Sequence, residues 1–326
     1  MAKRKRKSDR STFLILIIVL LLLLLLVFIY LKNPTVIDNI PLVQGKQPEP
    51  ATPSGSMIPP TIDNNGTIKV AAFNLQIFGT TKAGKPEVME VLSKIIRNYD
   101  VIAVQEIRDS SQASLPMLRD AVNSMGSPQY EYVVSERLGR TTSKEQYAYI
   151  YNTQTIQQIG SPYTYPDSND LIQREPYVSE FKAKNGNFDF VLITIHTDPD
   201  TATQEINDMP EVVEDARSRY QGEGDFIVMG DLNADCSYFN ENSQSPLRSG
   251  DYYWIINNSI DTTTKSTDCT YDRIIKTNPA KTDFTGDSGV FRFDTAYNLN
   301  YNNTIAVSDH YPVYASFWSN RDTDQE

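Results

Sequence analysis

Two histidines occur in 326 residues, and both stand at the boundary of an apolar run. His196 closes "FVLITIH", and His310 sits in "SDHYPVYASF". Acids and amides hold the same kind of position. Asn74 ends "IKVAAFN", Glu106 ends "DVIAVQE", Asp231 and Asn233 lie in "GDLNAD" after "FIVMG", Asp272 opens "YDRII", and Asp309 precedes His310. One such residue means little, because strands run out into polar loops. Six strand ends of this kind, both histidines included, describe polar groups delivered to one cleft by rigid elements. Carboxylates and amide oxygens suit a hard divalent cation such as Mg²⁺ or Mn²⁺. Imidazoles exchange protons near neutral pH. No Ser-His-Asp elbow or phosphate-binding glycine loop accompanies them. A hard cation and two histidines without a covalent nucleophile point to metal-assisted hydrolysis of a phosphoester.

The elements that must position these residues alternate along the chain. Strands are expected at 68–74, 100–106, 130–136, 146–152, 225–231, 271–276 and 311–318, all rich in Val, Ile, Tyr or Phe. "PYVSEFKA" and 188–196 read as an antiparallel pair around "KNGN". A helix over 86–98 starts with proline in its first turn and repeats Val88, Val91, Leu92, Ile95 and Ile96 at helical spacing. Further helices are expected through "LPMLRDAVNSM" and across 203–219. Many strands with few helices between them exclude a helical bundle and fit two packed sheets with helices outside.

The rest of the chain speaks to location. Residues 1–12 are basic and 13–31 are apolar apart from one tyrosine. Nineteen such residues in a helix span roughly 28 Å, enough for a bilayer core. With no small-residue cleavage site after them, they read as an uncleaved signal anchor. The positive-inside rule then keeps residues 1–12 cytoplasmic and puts everything after the anchor outside. Residues 32–66 are dense in proline and read as a tether. The stretch 67–320 has the size of one α/β domain, and 321–326 form a tail. The chain carries −11 overall, and −16 once the basic first ten residues are set aside. So acidic a domain repels polyanions unless bound cations repair the field locally. Cys236 and Cys269, the two cysteines, read as one disulfide in an extracellular domain. Asn65, Asn257 and Asn302 head N-x-[ST] triplets.

"AAFN", "VQE", "GDLNAD", "YDRI" and "SDHYPV", in this order, resemble the endonuclease/exonuclease/phosphatase superfamily. "VVSERLGR", "KEQYAYIYN", "REP", "NADCSY" and "DCTYDRI" resemble its deoxyribonuclease I family segment by segment, over about 67–318. The resemblance implies a four-layer α/β/β/α sandwich, here preceded by one transmembrane helix. It implies an Mg²⁺-dependent endonuclease that cuts double-stranded DNA with little sequence preference, leaves 5′-phosphates and acts as a monomer. It casts Glu106, with Asn74 beside it, as the main metal ligand. Asp231 and Asn233 become residues at the scissile phosphate and metal, and Asp309 a further metal-site carboxylate. His196 with Glu145, and His310 with Asp272, become proton-transfer couples. Arg174 corresponds to a phosphate contact, Arg108 to an arginine laid in the minor groove, and Cys236–Cys269 to the structural disulfide. Asp167, Asp170 and Glu175 resemble one structural Ca²⁺ site; Asp261, Thr263 and Thr267 resemble another, with Lys265 intruding.

The chain also departs from the pattern. Ser143 stands where the family often has a groove-stacking tyrosine before Lys-Glu, and "YPDSNDLIQREP" lacks the second, short disulfide loop of some members. A phosphatase or sphingomyelinase of the same superfamily would share the metal and histidine core. An inactive tethered binding module is the non-enzyme alternative. "VVSERLGR" and Arg108 favour a nuclease.

Overall fold

A computed structural model describes residues 66–324. The predicted anchor and the tether up to residue 65 lie outside the described residues. Among those described, no helix is long and apolar enough to cross a membrane.

Twelve strands form two six-stranded sheets among the described residues. The first sheet takes β1 (Thr67–Phe78), β2 (Val101–Ile107), β3 (Tyr130–Val134), β4 (Gln146–Asn152), β11 (Phe284–Val290) and β12 (Val313–Trp318) in the order β11-β12-β1-β2-β4-β3. The second takes β5 (Ile156–Thr164), β6 (Tyr177–Ala183), β7 (Asp189–His196), β8 (Phe226–Asp231), β9 (Tyr252–Trp254) and β10 (Asp272–Thr277) in the order β5-β6-β7-β8-β10-β9. Each sheet has one parallel pair at its centre, β1 with β2 and β7 with β8. The helices are α1 (Thr80–Ala83), α2 (Pro86–Ile96), α3 (Ser114–Ser124), α4 (Ala202–Arg219), α5 (Phe293–Ala296) and α6 (Tyr301–Val307).

Alternation along the central strands builds the layers, because successive side chains point to opposite faces. In β1, Val70 and Ala72 face the other sheet, where they join Ala103, Phe190, Leu192 and Met229. Ala71, Phe73 and Leu75 face outward to Leu92 and Ile95 of α2 and Leu118 of α3. In β7, Val191, Ile193 and Ile195 pack on Ile206, Met209 and Val213 of α4. Three apolar interfaces between four layers result, as the resemblance implied.

Several strands differ from the sequence-based expectation. β1 continues past Asn74 to Phe78, with a register shift between those residues in its pairing with β2. The last strand begins at Val313 rather than 311. β5, β9 and β11 were not expected. "IQQIGSPYT" and "FTGDSGV" are polar or glycine-bearing, β9 has three residues, and all three lie at sheet edges. An edge strand needs less apolar surface than a central one, so its sequence resembles a turn.

Candidate active site

The site lies where the central strands of both sheets end. β1 and β2 each break register there, and bulges re-aim side chains. Gln76, Ile77, Glu106 and Asn233 all have positive φ, between 46° and 61°. Such conformations are unfavourable for Gln, Ile and Glu, though tolerated by Asn, and persist where surrounding contacts enforce them. In the second sheet, His196 and Asp231 are register partners. Gly230 makes that pairing possible: its φ is +134°, and a Cβ there would overlap Ile195 O.

Asp231 is the meeting point. Its Oδ2 accepts a 2.9 Å hydrogen bond from Asn74 Nδ2 and lies 3.5 Å from Nε2 of both His196 and His310. Each imidazole is held from behind by a carboxylate. His196 Nδ1 is 2.8 Å from Glu145 Oε1, and His310 Nδ1 is 2.8 Å from Asp272 Oδ2. A carboxylate at Nδ1 fixes the proton there and leaves Nε2 to exchange one with the cleft. Asp231 Oδ1 accepts from Asn233 N at 3.1 Å, while Asn233 Nδ2 donates to Thr197 O.

Electrostatics follow from these contacts. Burial opposes charge on His310, but Asp272, Asp231 and Asp309 outweigh it and push the imidazole up to about 10. His196 is likewise raised, since Glu145 and Asp231 overcome its burial. Burial would raise Asp231; the two imidazoles, Asn74 and the Asn233 amide hold it below the ordinary carboxylate range instead.

Glu106 and Asp309 each stand beside a cationic side chain. Glu106 accepts from Asn74 Nδ2 at 3.2 Å and Ile77 N at 2.8 Å, and Arg108 Nη2 lies 3.2 Å from its Oε2. Asp309 Oδ2 pairs with Lys265 Nζ at 2.8 Å. Lys82 lies near enough to feel both carboxylates, with its ammonium donating to Leu75 O, Gln76 O and Val307 O. Hard oxygen donors that attract three cationic groups fit a divalent cation in their chemistry.

The arginines are more committed than the sequence suggested. Arg174 is buried, donating to His196 O and Thr197 O, with Nε 3.2 Å from Glu145 Oε1. Arg108 reaches from Glu106 to Glu145 (3.4 Å), and its Nη1 is 3.4 Å from Ser143 Oγ. Lys265 does not enter the Asp261 loop, because its ammonium is drawn to Asp309. That loop does gather its residues: Asp261 Oδ1 accepts from the Thr263 N–H and hydroxyl, and Thr263 Oγ1 meets Thr267 O and Oγ1. The other proposed Ca²⁺ residues are less convergent. Asp167 and Glu175 border one depression, Asp167 Oδ2 accepts Ile172 N, and the Asp170 carboxylate is taken by Arg140 at 2.7 Å. Cys236 and Cys269 are disulfide-bonded.

Four supporting residues escaped the sequence reading. Ser308 Oγ donates to Asn74 O at 2.7 Å and accepts His310 N at 3.0 Å, tying the segment before β12 to the neighbouring strand β1. Thr262 Oγ1 accepts the amides of Tyr271 and Asp272. Tyr147, fully buried, bonds the His196 backbone. Glu205 accepts the amides of Gln173 and Asp198 flanking the Arg174 and His196 segments. Only Ser308 carried a signal, its adjacency to Asp309 and His310.

Sheets ending in two carboxylate-backed histidines and a cluster of hard oxygen donors define a class, the phosphoester-cleaving enzymes of one superfamily. Residues 71–310 match the Endonuclease/Exonuclease/phosphatase family. Deoxyribonuclease gamma of Rattus norvegicus is 37% identical over 268 residues, covering 78% of this chain and 86% of that protein. Deoxyribonuclease-1 of Bos taurus is 35% identical, covering 76% and 91%. Within the wider superfamily, the chain belongs to the deoxyribonuclease I family. Among solved structures, D. rerio TDP2 complexed with single-strand DNA product aligns with a TM-score of 0.56 at 13% identity, over 78% of this chain and 99% of that one. A mannosyl-6-phosphatase from Bacteroides thetaiotaomicron gives 0.53 at 17%, over 77% and 99%. At such identities the likeness establishes the fold alone.

Proposed function

We propose that this chain is a divalent-cation-dependent endonuclease that hydrolyses phosphodiesters of double-stranded DNA with little sequence preference and leaves 5′-phosphates. The observation that carries the reading is the approach of both Nε2 atoms, each backed by a carboxylate, to a single oxygen of Asp231. Kinship with proteins named deoxyribonucleases supplies the substrate.

Water attacks phosphorus, the bond to O3′ breaks, and the phosphate stays on the 5′ side. One imidazole takes the proton of the attacking water at Nε2, and the other gives a proton to the departing O3′. Glu145 and Asp272 hold the rings and stabilise whichever is protonated. Asn233, Asn74 and Asp231 orient the reacting group, and Arg174 stiffens the His196–Thr197 backbone beside it. Glu106 and Asn74, with Asp309 nearby, would hold the cation, Mg²⁺ or Mn²⁺, which neutralises charge developing on the phosphate. Arg108, beside Ser143, would be the residue that enters the minor groove. A structural Ca²⁺ at Asp261, Thr263 and Thr267 would brace the loop that pairs with His310.

The location belongs to the same proposal. Residues 13–31 anchor a monomer in the membrane, with 1–12 cytoplasmic, and the tether 32–66 carries the catalytic domain, 67–320, outside. Incubating the full-length chain with plasmid, sphingomyelin and inositol polyphosphate, with and without Mg²⁺, tests the chemistry. Cation-dependent nicking of plasmid is expected; cleavage of either of the others alone overturns the assignment. Protease added to intact cells tests topology, and a protected catalytic domain contradicts it.

A further inference from the structure

The strands that carry Asp231 and Asp272 have a second end. There β8 begins after residues 223–225, and β10 finishes in Lys276 and Thr277. The chain's last described residues fold onto this pole. Ser319 N donates to Gly66 O, Phe188 N donates to Ser319 O, Asn187 Nδ2 donates to Asp322 O at 2.8 Å, and Asp324 N donates to Asp322 Oδ1 at 2.8 Å. Asp324 is thereby laid against Gly224, where a Cβ would overlap its carboxylate. Carboxylate oxygens of Glu223, Asp225 and Asp324 lie within 4.8 Å of one another.

Acids grouped at a surface are ordinary. Asp225 is different, because its side chain is 0% exposed and neither oxygen has a hydrogen-bond partner among the described residues. Burying an unpartnered carboxylate costs several kcal/mol, so such a group holds a proton or a cation. Burial and the crowding of Asp324, Asp283, Glu223 and Asp322 push Asp225 up to about 9, and burial with neighbouring acids pushes Glu223 up to about 8. Nearby cationic side chains answer only part of the excess. Lys276, buried without a hydrogen bond, feels Asp225 and Asp283, and Arg219 is taken by Asp215 at 2.9 Å. An open depression of about 550 Å³, lined by Glu180, Arg219, Tyr220, Glu223 and Asp324 among others, leads to the group.

We propose that Glu223, Asp225 and Asp324 form a Ca²⁺ site at this pole, and that the ion locks the C-terminal segment onto the residues before β8. Carboxylates from two separate segments, with Glu180 and Asp322 close by to complete the shell, match the high and irregular oxygen coordination of Ca²⁺ better than the strict octahedron of Mg²⁺. The proposal is independent of the hydrolytic reading.

The test is equilibrium dialysis of the full-length chain against Ca²⁺, combined with amide exchange of residues 319–324. Wild type is expected to bind one more Ca²⁺ per chain than the Glu223→Gln/Asp225→Asn double variant. Ca²⁺ at about 100 times its dissociation constant should slow exchange of the segment roughly 100-fold in wild type and leave the variant unchanged. Should the double variant fail to fold, Asp324→Asn at the partly exposed end reads the same loss. Equal Ca²⁺ stoichiometry in wild type and variant, or exchange at 319–324 indifferent to Ca²⁺, overturns the proposal.

Discussion

β8 carries a buried aspartate at one end and another just before its start, and the two behave in opposite ways. Asp231 and Asp225 are 2% and 0% exposed, separated by six residues, or roughly 20 Å of strand. Asp231 is held ionised by two imidazoles, an amide side chain and a backbone N–H. Asp225 is pushed toward its neutral form by burial and then by the acids around it. Burial raises both carboxylates, and only Asp231 has partners that reverse the sign. The two poles also differ in how their loops are closed. At the catalytic end, Cys236–Cys269 joins the loop after β8 to the loop before β10. At the other, hydrogen bonds of the C-terminal segment do the holding.

The sharpest way to break the comparison is to remove the partners at the catalytic end. His196→Ala and His310→Ala should each lower plasmid nicking at least ~100-fold, a typical loss for general acid–base groups, whereas Asp225→Asn should leave the rate near wild type. Near-normal nicking by both histidine variants would remove the functional half of the contrast. Next in size is the covalent tie. Closing a loop with a sequence separation of 33 contributes about 3–4 kcal/mol in the chain-entropy model. Replacing both cysteines by alanine should lower the melting temperature while activity in the cold persists. A folded double variant without activity would show that the disulfide does more than stabilise.

The opposite pole makes a pH prediction. A carboxylate whose folded pKa exceeds its unfolded value binds its proton more tightly in the native state, so stability falls as pH rises from about 4 toward the folded value. For Asp225 and Glu223 that window ends near 9 and 8. Asp283, Asp322, Asp324, Asp189 and Glu180 add negative charge facing them, and Lys276 and Lys182 offset part of it. Cation-free protein should therefore melt progressively lower between pH 5 and 9, a window set by those shifts. Asp225→Asn should flatten the curve and raise the melting point at pH 8 by about 2–4 °C, the equivalent of about 1 kcal/mol in a domain of this size. A melting point independent of pH in the cation-free wild type would contradict the contrast. The smallest effect concerns the cleft rim, where Ser143 offers one hydroxyl to Arg108. Ser143→Tyr should lower the Michaelis constant on duplex DNA a few-fold and change turnover less, because the contact precedes chemistry. Steady-state kinetics on one defined duplex measure it, and an unchanged constant would show that this position does not limit DNA engagement.

The amino-acid sequence by itself determined the ends. Apolar runs end at Asn74, Glu106, His196 and Asp231 or begin at Asp272, and their periodicity placed the central strands and the three long helices, since burial on defined faces imposes those periods. It also carried the motifs by which the family is recognised. It did not determine the edge strands, which bury too little to leave a pattern. Nor could it show which acid stands beside which cation. Lys265 is four residues from Asp261 in "DTTTKSTDC" yet pairs with Asp309, 44 residues away. Ser308 reaches Asn74 across 234 residues. Asp225 and Asp231 both read as acids at the boundary of one apolar strand, indistinguishable in type. Only the tertiary structure decided that one meets two imidazoles and the other meets Glu223 and Asp324. Side-chain ionisation depends on neighbours within a few ångströms, and in a sandwich those neighbours come from segments far apart along the chain.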